Sequence, residues 1–193
     1  RIPTNCIVSR ENPAVKQAVK LMKSAKYRRQ EALFPAEGVR LCRDALISGT
    51  RIAQFFYTAQ AAEKYPDVIE RLCLTASKTA EVSPALMDAM CDTRSPQGIL
   101  CLCQMLDKSS DCVYKRNTGG RILALENIQD PSNLGTVLRT AEVLGISGVL
   151  LSSGCCDLYS PKVLRGSMGA VFRIPFTITE HFTDALQEMK YLG

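Results

Sequence analysis

Histidine is nearly absent: His181 is the only one in 193 residues. No Cys-x-x-Cys pair occurs either, although the chain carries nine cysteines. With so few ligands at metal-binding spacing, a structural zinc site is not expected. An odd cysteine count at scattered spacings, in a chain this long, does not read as a disulfide framework. The cysteines read instead as small buried hydrophobes in a reducing cytoplasm. Cys101 and Cys103 alternate, so one face of a strand would carry both. No apolar run approaches the roughly 18 to 20 residues that span a bilayer, and no secretory signal pattern opens the chain. No Gly-x-Gly-x-x-Gly follows a strand pattern, which disfavours a nucleotide-binding dehydrogenase and the non-knotted methyltransferases alike.

What is present favours a packed protein. Hydrophobic residues make up 46% and charged residues 22%, which supports a core and argues against wholesale disorder. The net charge of +5 permits a nucleic-acid partner without demanding one.

Strand and helix patterns alternate along the first hundred residues. Asn12-Pro13 reads as N-cap and first residue of a helix through Val15, Val19 and Met22. A short strand starts at Leu33-Phe34 and ends by Glu37-Gly38, and a helix follows to Ser48-Gly49. Ile52–Tyr57 is rich in strand formers, and residues 59–72 keep helical spacing. A short strand is expected near Leu72–Leu74, then a helix over Pro84–Met90 and a strand over Ile99–Met105. Residues 107–120 are polar, end in two glycines and read as a linker. After them come a strand to Glu126, a helix from about Asn133 to Leu144 and a strand at Val149–Ser152. A helix or turn around Pro161–Met168, a strand through Ala170–Ile174 and a helix from about Thr183 to Lys190 complete the series. The pattern is that of an α/β protein with a domain over 1–106 and a second over 121–193.

The turn from Asn127 to Arg139 carries the most chemistry. It joins a strand to a helix, and substrates of open α/β sheets bind at the strands' C-terminal ends. Asp130-Pro131 stiffens the turn, and Asn133 is placed to cap the helix. On a helical wheel Leu134, Val137, Leu138, Ala141 and Leu144 form the buried stripe, while Gly135, Arg139 and Glu142 share another face. Gly135 would then leave open space one turn above Arg139, where a ligand can approach the backbone. Arg139 suits bidentate phosphate binding; a surface pair with Glu142 is the plainer reading of the same spacing.

Asn127, Asp130, Pro131, Asn133, Gly135 and Arg139, at this spacing, resemble motif 1 of the SpoU (TrmH) family of RNA 2′-O-ribose methyltransferases, within the SPOUT superfamily. Ser160–Phe176, with Lys-Val-Leu-Arg-Gly-Ser-Met-Gly inside it, is similar to the family's segment after the second strand of the catalytic domain. Residues 9–38, with Asn12-Pro13, Lys16, residues 26–29 and Glu37-Gly38, resemble the ribosomal-protein-L30e-like substrate-binding domain often fused in front. The resemblance implies that Arg139 activates a ribose 2′-hydroxyl and that Asn133 shapes the catalytic turn, with Asn127, Asp130, Pro131 and Gly135 supporting. It implies S-adenosylmethionine as methyl donor, ribosomal RNA as partner and a homodimer. Lys162 and Arg165 are expected in a loop that faces RNA or the dimer partner. Asn12, Lys16, Lys26, Arg28 and Arg29 are the RNA-contact candidates of the first domain, and Tyr27 among them suits either base stacking or helix-end packing.

Motifs 2 and 3 of the family, which build its knot and most of the cofactor pocket, have no match in the chain. The sequence is therefore expected to be a truncated piece, inactive alone, with the knot-forming part and the cofactor-binding residues beyond Gly193. The competing expectation is a non-catalytic RNA-binding or ribosome-associated protein derived from the same family.

Overall fold

The computed structural model describes residues 6–106, 113 and 120–191. Apart from positions 113 and 120, the expected linker lies outside them. The chain divides into two compact units, Arg1–Met105 with Tyr159–Pro161, and Leu106–Leu158 with Lys162–Gly193.

The first unit is built on a mixed sheet of four strands, β1 (Leu33–Glu37), β2 (Ile52–Tyr57), β3 (Thr79–Glu81) and β4 (Ile99–Gln104), in the order β1-β4-β2-β3. β4 runs antiparallel to β1 and β2, and β3 lies parallel to β2. Six helices accompany it: α1 (Pro13–Lys23), α2 (Ala25–Glu31), α3 (Val39–Ile47), α4 (Ala59–Lys64), α5 (Pro66–Thr75) and α6 (Pro84–Met90). α1 opens as the sequence suggests, with the Asn12 side chain accepting the Ala14 N–H at 2.9 Å. Its stripe Val15, Ala18, Leu21 and Met22 packs with Phe56, Leu100 and Leu102 of the sheet and Leu86, Met87 and Met90 of α6. Alternation puts Cys101 and Cys103 on the other face of β4, across from Ala36 and Phe34. Both are buried, and the Cys42 thiol of α3 donates to the Ala36 carbonyl at 3.1 Å on that side. Burial drives the thiols of Cys101 and Cys103 well above their ordinary range, so they pack as neutral S–H groups.

Two expectations fail here. The helical pattern over 59–72 is two helices, because the chain leaves helical geometry at Tyr65 (φ −132°, ψ 52°) and restarts with Pro66. Leu72–Leu74 is not a strand but the last turn of α5, with Leu72 buried and Leu74 78% exposed. The strand comes later, in Thr79-Ala80-Glu81, residues with no strand signature. Pairing with β2, not local propensity, makes them one.

The second unit is a parallel sheet of three strands, β5 (Ile122–Leu125), β6 (Gly148–Ser152) and β7 (Phe176–Thr179), in sequence order. α7 (Pro131–Val143) links β5 to β6. α8 (Pro161–Ser167) and α9 (Ala170–Arg173) lie between β6 and β7, and α10 (Phe182–Tyr191) follows β7. β6 is buried along its whole length, as the middle strand of a parallel sheet must be. The strand expected at Ala170–Ile174 is α9 instead. Gly169, at φ 87°, starts the helical turn, and Pro175 forces Ile174 back to extended geometry (φ −83°, ψ 127°). Three consecutive apolar residues, Ala170, Val171 and Phe172, are all buried in that short helix, which is why they read as a strand. Among the described residues no helix is long and apolar enough to cross a membrane.

Candidate active site

The turn between β5 and α7 holds the expected residues, arranged differently from the reading of the sequence. α7 begins at Pro131, and its N-cap is Asp130, not Asn133. The Asp130 carboxylate accepts the Asn133 N–H at 2.8 Å, and the Asp130 carbonyl accepts the Leu134 N–H at 3.0 Å. Pro131 holds Asp130 extended (φ −82°, ψ 120°), the geometry an N-cap needs. Its negative charge also meets the positive end of the helix dipole. Asn133 takes part only through its backbone donor, and the residue is exposed on the first turn.

Two loops close on each other at the C-terminal edge of this sheet. Asn127, left-handed at φ 54°, donates its N–H to the Ser152 hydroxyl at 2.9 Å. The Gln129 side chain donates to the Gly154 carbonyl, and the Cys156 N–H donates to the Ile128 carbonyl at 2.8 Å. A Cβ on Gly154 would stand 2.0 Å from the Asn127 side-chain oxygen, so that side chain already fills the glycine's open space.

Gly135 is likewise not open. It is buried, and a Cβ there would lie 2.9 Å from Gly166 Cα and from the Val163 carbonyl oxygen. The missing side chain lets α7 and α8 approach backbone to backbone; it is not a ligand-approach space. Neither glycine leaves a cradle for a cofactor. No group of three metal-ligating side chains occurs among the described residues.

Arg139 is exposed on α7. The surface pair with Glu142 does not form: the Glu142 carboxylate is gripped by Nε and Nη2 of Arg173, the second at 2.9 Å. Among the described residues Arg139 has one hydrogen-bond partner, the Met168 thioether, 3.2 Å from Nη1. Met168 itself is left-handed, at φ 49°. No local signal in the sequence points to Met168 or Arg173, whose partners lie about 30 residues away on α7. Glu37 was also missed as an anchor. It is buried and accepts the backbone N–H groups of Asp92 (2.9 Å) and Thr93 (3.3 Å), pinning the loop before β4.

The candidate RNA contacts divide. Lys26 and Arg29 are exposed, and Lys16 is exposed but paired with Glu11. Asn12 spends its side chain on the α1 cap. Arg28 is withdrawn: it is 3% exposed, and its guanidinium donates to the carbonyls of Leu21 and Met22 (3.2 Å for the latter) at the end of α1. Tyr27 packs against the core, with the Lys20 ammonium 5.5 Å from its ring centre. Lys162, exposed, and Arg165, half-buried, sit on α8 and not in a loop.

Residues 12–101 match the MRM3-like substrate binding domain, and residues 120–193 match the SpoU rRNA Methylase family. The chain thus carries a SpoU methylase domain behind an MRM3-like substrate binding domain. It is 35% identical to an uncharacterised tRNA/rRNA methyltransferase of Synechocystis sp. over 88% of its own length and 60% of that protein's. It is 29% identical to the 23S rRNA guanosine 2′-O-methyltransferase RlmP of Bacillus subtilis over 97% of its length and 70% of that protein's. Among solved structures, the AdoMet-bound rRNA methyltransferase from Sinorhizobium meliloti superposes with a TM-score of 0.82 at 28% identity, covering 96% of this chain and 69% of that one. The chain spans 38% of the frog mitochondrial rRNA methyltransferase 3 that it also matches. The mixed α/β architecture expected from the sequence matches that of the solved Sinorhizobium rRNA methyltransferase.

Proposed function

We propose that the protein transfers a methyl group from S-adenosylmethionine to a ribose 2′-hydroxyl of RNA, with ribosomal RNA as substrate class. The observation that carries this reading is Arg139: an exposed guanidinium on α7, without a carboxylate partner among the described residues, in the helix that follows the β5 turn. A guanidinium in that state grips a backbone phosphate in two-pronged fashion and polarises the neighbouring hydroxyl. Asn133, exposed on the first turn of the same helix, contacts the same nucleotide. Asn127, Asp130 and Pro131 hold the turn, and Gly135 holds α7 against α8. The named substrates of the relatives support the class, and the Sinorhizobium rRNA methyltransferase was solved with AdoMet bound.

The unit before the turn reads as an RNA-binding module of the L30e-like kind, with Lys16, Lys26 and Arg29 at its phosphate-facing surface and Lys162 and Arg165 adding contacts from α8. A homodimer in a reducing compartment, the cytoplasm, completes the proposal. Ribose methylation mapped across ribosomal RNA tests it, in cells with the gene intact, deleted, or replaced by Arg139→Ala. One site lost on deletion and not restored by the variant is expected. An unchanged map overturns the transferase reading. RNA retention with that unchanged map identifies a binding protein instead.

A further inference from the structure

Arg139 has a neutral anchor and a rival that is kept from it. The anchor is the Met168 thioether, 3.2 Å from Nη1. Sulfur carries no formal charge, so the contact sets the direction of the guanidinium without cancelling its charge. The rival is Glu142, three residues further along α7, at a spacing where opposite charges pair. Its carboxylate is held instead by both Nε and Nη2 of Arg173, the bidentate geometry that is strongest for arginine. Arg173 Nη2 also donates to the Met168 carbonyl at 3.1 Å. Met168 (φ 49°) and Gly169 (φ 87°) reverse the chain between α8 and α9. That reversal brings the thioether to α7. A left-handed methionine is unfavourable, and here both its side chain and its carbonyl are engaged.

We propose that Met168, Arg173 and Glu142 form a positioning device for Arg139. Arg173 intercepts the carboxylate, and Met168 fixes the guanidinium, so Arg139 meets RNA with its full charge and a preset direction. The inference rests on the reading of Arg139 as the catalytic residue. An arginine already paired with a carboxylate has to give up that partner before gripping a phosphate. One held by a thioether does not, and its orientation is set before substrate arrives.

Steady-state and single-turnover methylation by the full-length protein tests it. Arg173→Met frees Glu142 to pair with Arg139, and kcat falls about tenfold or more while the KM for RNA moves by less than about twofold. Adding Glu142→Gln to Arg173→Met removes the freed carboxylate and recovers most of the lost kcat, which structural damage alone does not do. Met168→Leu keeps the shape, removes the acceptor and lowers kcat by about threefold with thermal unfolding unchanged. Arg173→Lys, which keeps a cation beside Glu142, covers the case in which Arg173→Met folds poorly, and it retains more kcat than the methionine variant. Arg139→Ala separates the two readings. If it methylates at the parent rate, the catalytic assignment of Arg139 is wrong whatever the other variants do. If Arg139→Ala is inactive but Arg173→Met matches the parent, or Glu142→Gln recovers nothing, the positioning device is wrong.

Discussion

Gly135 of α7 and Gly166 of α8 meet without a side chain between them: a Cβ on Gly135 would stand 2.9 Å from Gly166 Cα. Backbone cannot retreat as a flexible side chain can, so Gly135→Ala forces the two helices apart. A loss of about 1–3 kcal/mol in stability is expected from overpacking of this kind. Urea unfolding of Gly135→Ala measures it, and an unchanged midpoint would show that the helices part at no cost.

The Asp130 cap gives a second prediction. Asp130→Ala removes the acceptor of the Asn133 N–H and the charge at the helix start, at a cost of about 1 kcal/mol. Asp130→Asn keeps an acceptor and loses less. Equal losses for the two would assign the effect to something other than the cap.

Arg28 and its basic neighbours should behave in opposite ways. Arg28→Met strips the guanidinium from the carbonyls of Leu21 and Met22, costing about 1–3 kcal/mol for buried acceptors left unmet. The salt dependence of RNA binding should not change. Lys26→Ala or Arg29→Ala should leave stability alone and flatten the salt slope by about one unit each. Binding that is indifferent to salt in the parent would remove Lys26 and Arg29 from the RNA surface.

Alkali should destabilise the first unit in a predictable window. Burial raises the thiols of Cys101 and Cys103 well above their ordinary value of 9.0 and lifts the Tyr57 phenol from 10.0 to about 12. Folded groups that stay protonated while their unfolded counterparts ionise bind more protons in the folded state. Stability therefore falls as pH rises. It should be level below about pH 9, then decline toward pH 12. Cys101→Ala with Cys103→Ala should flatten the first part of that decline in urea titrations, and an unaltered profile would place its origin elsewhere.

Much of this was readable from the residues in order. Period-two alternation placed Cys101 and Cys103 on one buried face, and Asn12-Pro13 announced the start of α1. The strand–turn–helix around Asn127–Arg139 was likewise visible. Most of what escaped depends on partners far away in sequence. Thr79–Glu81 is a strand because β2 offers it hydrogen bonds; Ala170–Arg173 is the local exception, a helical turn set by Gly169 before it and Pro175 after it. Arg28 looked like any surface cation until the carbonyls at the end of α1 claimed it. Gly135 looked open because a helical wheel shows one helix, and α8 is not on it.

The cap that moved from Asn133 to Asp130 has a genetic consequence. Closing the helix falls to one side chain, and the amide three positions later is free of that duty. On the proposed function, folding and recognition are encoded by separate codons within a single turn. Substitutions at Asn133 can be screened for altered RNA choice without first being screened for collapse.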